Sequence, residues 1–129
     1  MRRAGWTLLG VAALLAVRGT RPFRVEVAGR SMEPTLRQGD WLVATRAGRR
    51  GRGSVVVVAD PRTGRDLVKR IVAEPGDPSD GGVLAADQYL VAGDNPDGST
   101  DSRTFGSVPT SAIEGVVRFR YAPRPAWIR

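Results

Sequence analysis

The chain has 129 residues, enough for one small core, and its 41% hydrophobic and 26% charged content is that of a globular protein. It contains no cysteine and no histidine, which excludes disulfides, thiolate metal sites, Cys-His dyads and Ser-His-Asp triads. The formal net charge of +7 arises from 20 basic residues, of which only Lys69 is a lysine; the arginines stay protonated and cannot act as general bases. A charge of this sign favours nucleic acid or an anionic membrane surface. The arginines are scattered, however, and three Phe and two Tyr offer few platforms for base stacking, so no nucleic-acid partner is expected.

Arg2 and Arg3 precede an apolar run from Trp6 to Val17, which Arg18 closes. A helix over that run reaches about 18 Å at ~1.5 Å per residue, short of a hydrocarbon core of ~30 Å. Residues 1–22 are therefore expected to form a short membrane anchor, or to lie partly in the interface with arginines snorkelling. A signal-peptide core has this length, but no small-x-small cleavage site follows it; an ordinary buried helix is the alternative. Arginines on both flanks leave the orientation open.

After Pro22 the pattern changes to short strands. Residues 24–28 alternate, with Val25 and Val27 on one face, and residues 41–45 form a second strand after the Gly39-Asp40 turn. Residues 46–53 are a loop carrying Arg46, Arg49, Arg50 and Arg52. Residues 54–59 hold four consecutive valines, the pattern of a strand buried on both faces. The turn at 61–64 then leads into a strand over 66–74, which predicts a hairpin. Residues 75–82 are a loop, 88–92 and 115–121 are the last strands, and the proline-rich 123–129 is a loose tail. Short strands separated by turns predict a mainly β, compact barrel-like domain over 23–121, between the apolar segment at 1–22 and a tail at 122–129.

Strand periodicity puts Leu67, Lys69, Ile71 and Ala73 on one face and Val68, Arg70, Val72 and Glu74 on the other. Lys69 thus shares its face with apolar residues only. Desolvation there lowers an amine's pKa, as a lysine general base requires; a snorkelling lysine with its amine in water is the alternative. Arg70 reads as a structural or solvent-facing charge. Ser31 lies between Gly29, which frees the backbone to turn, and Pro34, which fixes it, so its hydroxyl can be presented near backbone N–H groups. Met32 fills core or lines a substrate pocket. The segment from Gly93 to Arg103 is dense in turn formers. Asp94, Asp97 and Asp101 invite a calcium loop, but the glycine and glutamate such a loop needs are missing, and no metal or other cofactor is expected. Asp101 and Arg103 are expected to pair, and Ser99 to hydrogen-bond a neighbouring amine.

These segments together resemble the type I signal peptidase family of Ser-Lys proteases. Ser31-Met32-Glu33-Pro34-Thr35-Leu36 is similar to the family's nucleophile box. Leu67-Val68-Lys69-Arg70-Ile71-Val72-Ala73-Glu74-Pro75-Gly76-Asp77 is similar to its lysine box. Gly93-Asp94-Asn95 and Ser99-Thr100-Asp101-Ser102-Arg103 are similar to its last box. The resemblance implies that Ser31 attacks the scissile carbonyl with Lys69 as base, that Ser99 orients the amine, and that Asp101 and Arg103 form a supporting ion pair. It implies substrates that are precursor proteins with N-terminal leaders, processed at a membrane surface, as at the bacterial cytoplasmic membrane. Gly29 stands where many bacterial members carry a second oxyanion-hole serine; glycine there is similar to mitochondrial inner-membrane peptidases and small actinobacterial processing enzymes. The compact length and the last box resemble nickel-type superoxide dismutase maturation proteases in particular. Two other classes compete: a self-cleaving SOS-type regulatory domain, and a non-catalytic membrane-bound binding module.

Overall fold

The structure, a computed structural model, describes residues 21–129. The chain is mainly β. Its strands are β1 (Pro22–Glu26), β2 (Trp41–Thr45), β3 (Val55–Ala59), β4 (Asp66–Ala73), β5 (Pro78–Ser79), β6 (Gly82–Val83), β7 (Gln88–Ala92), β8 (Val108–Pro109), β9 (Ile113–Ala122) and β10 (Ala126–Trp127). A single α-helical turn, α1 (Ser102–Phe105), lies between β7 and β8. The main sheet runs β1-β2-β9-β3-β4-β7-β8 with β10 added on β9, and β5-β6 form a separate small hairpin. Every pairing is antiparallel. Register shifts interrupt β2–β9, β3–β9 and β4–β7. Such bulges bend strands and add twist, and here the sheet curls into a half-barrel.

The four valines explain how one sheet serves two cores. Val55 and Val57 point into a cluster with Met32, Leu36, Leu42 and Val117. Val56 and Val58 point into a second cluster with Ile71, Val91, Val108 and Ile113. Alternation sends successive side chains to opposite faces, so β3 is buried on both, as its composition predicts. The expected hairpin forms, with Val56 opposite Lys69.

Three expectations need correction. The first strand begins at Pro22 and leaves the ladder after Glu26; Val27 gives its N–H to the Asp40 carbonyl (2.8 Å) and takes the Gly39 N–H (2.9 Å), which closes the strand into a turn. Residues 123–129 are not loose. Ala126 and Trp127 pair with Arg120 and Phe119 of β9, the Trp127 ring meets Phe119 edge-on with centroids 4.9 Å apart, and Ile128 packs against the first cluster. The prolines turn the chain back onto β9, and apolar burial holds it there. The last sheet strand, β9, also extends from Ile113 to Ala122 rather than 115–121, and β8 was not anticipated. The apolar segment expected over 1–22 lies, up to residue 20, outside the described residues. Among the described residues no helix is long and apolar enough to cross a membrane.

Gly115 lets β1 approach the sheet. A Cβ at this position would sit 2.6 Å from the Phe23 ring and 2.7 Å from the Thr45 carbonyl oxygen. The ring can tilt, but the carbonyl belongs to a paired strand. Gly115→Ala is therefore expected to destabilise the protein by about 1–3 kcal/mol, the usual range for overpacking. Urea unfolding measures it; an unchanged midpoint would show that β1 gives way without cost.

Candidate active site

Gly29 has φ +80°, a left-handed conformation that glycine adopts without strain. It turns the chain out of β1 so that residues 31–36 fold back over the sheet. Met32 and Leu36 are fully buried and anchor this turn in the first core. Met32 thus fills core. Ser31, between them and the surface, is half-buried. Its carbonyl accepts the Asn95 N–H (2.8 Å), and the Asn95 side-chain amide donates to the Arg30 carbonyl (3.1 Å). The serine turn is therefore fixed from below by apolar packing and from the side by the segment that begins at Gly93.

Lys69 projects from the middle of β4 and is only 3% exposed, which excludes the snorkelling alternative. Its Nζ lies 2.7 Å from Ser31 Oγ. Burial lowers the Lys69 pKa; the Asp101 charge acts in the opposite sense, and Arg103 lowers it again. The net direction is downward, toward a neutral amine.

Asp101 is fully buried. Burial raises its pKa, but hydrogen bonds from Arg103, Ser99 and the Gly93 N–H outweigh that effect and hold the carboxyl well below its ordinary range. Arg103 grips both its oxygens, at 3.0 and 2.8 Å. The Ser99 hydroxyl donates to Asp101 (2.6 Å) and accepts the Gly93 N–H (3.1 Å). Ser99 was expected to orient the lysine amine; in this structure its hydrogen goes to Asp101, because a buried carboxylate is the stronger acceptor. Gly93 is required by crowding: a Cβ there would collide with the Ser99 side chain and the Ser31 carbonyl. Asp97 is exposed, and among the described residues no group of three or more His, Cys, Asp or Glu is arranged to hold a metal ion.

Sequence reasoning missed a second polar bridge. Arg70 is neither free nor solvent-facing. Its Nε and Nη2 grip the two oxygens of Asp94 at 2.9 and 2.8 Å, and Asp94 also accepts the Thr35 hydroxyl (2.6 Å). Hydrogen bonding to Arg70 lowers the Asp94 pKa against the opposing effect of burial. The lysine strand, the serine turn and the Gly93 segment are thus clamped together. The signal available was an arginine on a core strand, which needs a carboxylate partner; nothing in the sequence pointed to Thr35, a member of the nucleophile box, as a partner of Asp94.

An open groove of about 770 Å³ ends at this cluster. One wall is β1 with Val27, Ala28 and Gly29; the other is the start of β4, from Asp66 to Lys69. Arg46 caps the far end with its guanidinium 4.5 Å from the Phe23 ring centre. Nearby, burial and a hydrogen bond with Asp66 raise the Glu114 pKa. Among the described residues β1 is an edge strand on this side, so the groove offers backbone pairing to an extended chain.

The family model for signal peptidase, peptidase S26, matches residues 1–80 and 78–122. The chain is 40% identical over 115 residues to mitochondrial ATP-independent inner membrane protease subunit 1a of Arabidopsis thaliana, covering 75% of this chain and 68% of that one. It is 36% identical over 122 residues to mitochondrial inner membrane protease subunit 1 of Schizosaccharomyces pombe, covering 82% and 78%. It is 32% identical over 163 aligned positions to the probable signal peptidase I-2 of Synechocystis, covering 93% and 75%. The chain spans about two thirds of the length of the first of these relatives.

The buried amine carries a stability cost that depends on pH. Because the folded-state pKa of Lys69 is depressed, the unfolded chain holds this proton more tightly, and stability rises with pH across the interval between the two values. Lys69→Met has no such proton. It is expected to melt higher than the parent, with the gap largest below the folded-state pKa and shrinking as pH rises. Melting temperatures across a pH series test this; a gap independent of pH would mean that the amine titrates as it does in water.

Proposed function

The chain belongs to the peptidase S26 family, and on that footing we propose that it is a serine endopeptidase that removes N-terminal leaders, with Ser31 as nucleophile and Lys69 as general base. The observation that carries this reading is the 2.7 Å contact between Lys69 Nζ and Ser31 Oγ, made by an amine that burial holds toward neutrality. A neutral amine accepts the serine proton as Oγ attacks the scissile carbonyl. The resulting ammonium returns that proton to the departing amine nitrogen, leaving an acyl-serine. Water, deprotonated by the same lysine, then releases the new C-terminus and regenerates the hydroxyl. The Ser31 N–H is one donor for the oxyanion. Gly29 supplies no side-chain donor, and its left-handed backbone disfavours a serine there.

The substrate lies extended in the groove, pairing with β1 and approaching Ser31 past Val27 and Val68. Its source is a precursor held at a membrane, with the apolar run from Trp6 to Val17 keeping the enzyme on the same surface, in a bacterium the cytoplasmic membrane. Within this class we place a dedicated maturation role, on nickel-type superoxide dismutase precursors. The chain's Asp94-Asn95-Pro96-Asp97-Gly98-Ser99-Thr100-Asp101-Ser102-Arg103 run supports it. Incubation with that precursor and with a secretory precursor, followed by sequencing of the new N-termini, tests both levels. Ser31→Ala and Lys69→Arg are each expected to abolish cleavage, since arginine keeps the charge but cannot accept the proton. Cleavage by folded Ser31→Ala would overturn the assignment. Processing of the secretory precursor alone would replace the dedicated role with a general one.

Arg103 has a testable electrostatic part. Its charge opposes the pull of Asp101 on the Lys69 proton. Without it, Asp101 stabilises the ammonium, and less neutral amine is present at a given pH. Arg103→Gln is therefore expected to move the acid limb of log kcat/KM toward higher pH. A limb that stays in place would show that Arg103 serves only to hold the loop.

A further inference from the structure

We infer that the C-terminal strand β10 and the two residues after it, Ile128 and Arg129, are a positioning element of the catalytic site. This rests on the Ser31–Lys69 reading above and adds to it residues that lie outside all three boxes.

Two separate paths lead from this segment to the serine turn. The first is apolar. The Ile128 N–H donates to the Arg118 carbonyl (3.0 Å), which fixes the register of the segment beyond β10. The Ile128 side chain then packs against the cluster that contains Met32 and Leu36, the two buried anchors of the turn that presents Ser31. The second path is polar. The Arg129 carbonyl accepts a hydrogen bond from Arg70 Nη1 (2.9 Å), which also reaches the Gly53 carbonyl (2.7 Å). With Nη1 held on these two carbonyls, Nε and Nη2 of the same planar group face Asp94. Asp94 takes the Thr35 hydroxyl, and its neighbour Asn95 holds the Ser31 carbonyl. The Arg70 side chain is 23% exposed and the Asp94 side chain 19%. The Arg129 main-chain oxygen occupies one N–H of the guanidinium, and losing that contact frees the group to turn away from Asp94.

Both paths end on the turn that sets where Ser31 Oγ stands relative to Lys69 Nζ. A displacement of a fraction of an ångström at that contact slows the reaction without changing the groove that binds substrate. The signature of a positioning role is therefore a fall in kcat with KM preserved.

The test uses the full chain and four substitutions. Ile128→Pro removes the N–H that Arg118 accepts and displaces the Arg129 carbonyl. Ile128→Ala keeps that N–H and breaks only the apolar path. Ile128→Val keeps both. Arg129→Ala is a control, because the contact is made by the backbone. On a leader peptide, Ile128→Pro is expected to lower kcat about tenfold with KM within about twofold, and Ile128→Ala to lower it about threefold. The other two should behave like the parent. In parallel, the Asn95 N–H should exchange with solvent about tenfold faster in Ile128→Pro while the β3 amides keep their protection. Parental kcat and Asn95 exchange in Ile128→Pro would overturn the inference, as would equal loss of protection throughout β3, which marks general loosening. Should Ile128→Pro not fold, parental values in Ile128→Ala overturn it instead. If the parent cleaves nothing, the endopeptidase reading fails, while the exchange of Asn95 still decides whether the segment holds the serine turn.

Discussion

A primary amine buried on a core strand is the constraint on which the rest of this structure depends. Lys69 is the only lysine of the chain, and it sits in the middle of a core strand with almost no exposure. An ammonium in that place is costly, and the protein lowers the cost by favouring the neutral form rather than by pairing the charge. Asp101 would undo this if it acted alone, since a carboxylate nearby stabilises the proton on the amine. The arrangement around Asp101 limits that effect. Arg103 binds both oxygens, and Ser99 and the Gly93 N–H use further lone pairs. The carboxylate is thus fully ionised yet already committed, and the amine is left with the serine hydroxyl as its hydrogen-bond partner.

A small sheet can hold such a site only if its two faces do different work. β3 divides the interior, with alternate valines in two clusters. The first cluster is the seat of the serine turn, through Met32 and Leu36; the second packs beneath the face of β4 that carries Ile71. The serine turn is seated on the first cluster, Lys69 shares its strand face with Ile71 of the second, and their side chains meet at 2.7 Å. Packing sets the position of each to within a rotamer, and the Arg70–Asp94–Thr35 bridge fixes one relative to the other. A bidentate arginine suits this task because its planar fork constrains direction as well as distance.

Local pattern was enough to read most of the strands and to single out Ser31 and Lys69 as candidates, while their roles came only with the family resemblance. The four valines, the hairpin that follows and the face of Lys69 all rest on period-2 alternation, which survives folding because each strand has a buried face. Lys69 was legible because residue types were scarce: with no histidine or cysteine, a lone lysine in an apolar run stands out. What was not legible depends on tertiary proximity. Ser99 was matched to the amine, whereas its hydrogen goes to a carboxylate two residues away whose burial no local pattern reveals. Of the two readings of Arg70, structural or solvent-facing, the ion pair with Asp94 selects the structural one, and its partner was not legible because it lies on a loop distant in sequence. The proline-rich end looked loose because two prolines hide a strand of two residues, and a strand that short has no period to detect.

The groove follows from the same economy. In most antiparallel domains a bare edge strand is a hazard that charge or cover suppresses. Among the described residues no strand covers the outer edge of β1 beside the nucleophile, and it is flanked by the charges of Arg24 and Glu26 and by Arg46 stacked on Phe23. Those charges discourage pairing with another copy of the sheet, while a single extended chain still gains the backbone hydrogen bonds. β1 also begins directly after residue 21, where the Arg46 N–H meets the Arg21 carbonyl. The apolar run at the start of the sequence therefore leads, within a few residues, into the wall of the groove itself. The stretch of sequence that carries the apolar run and the strand that lines the groove are thus one continuous piece of chain.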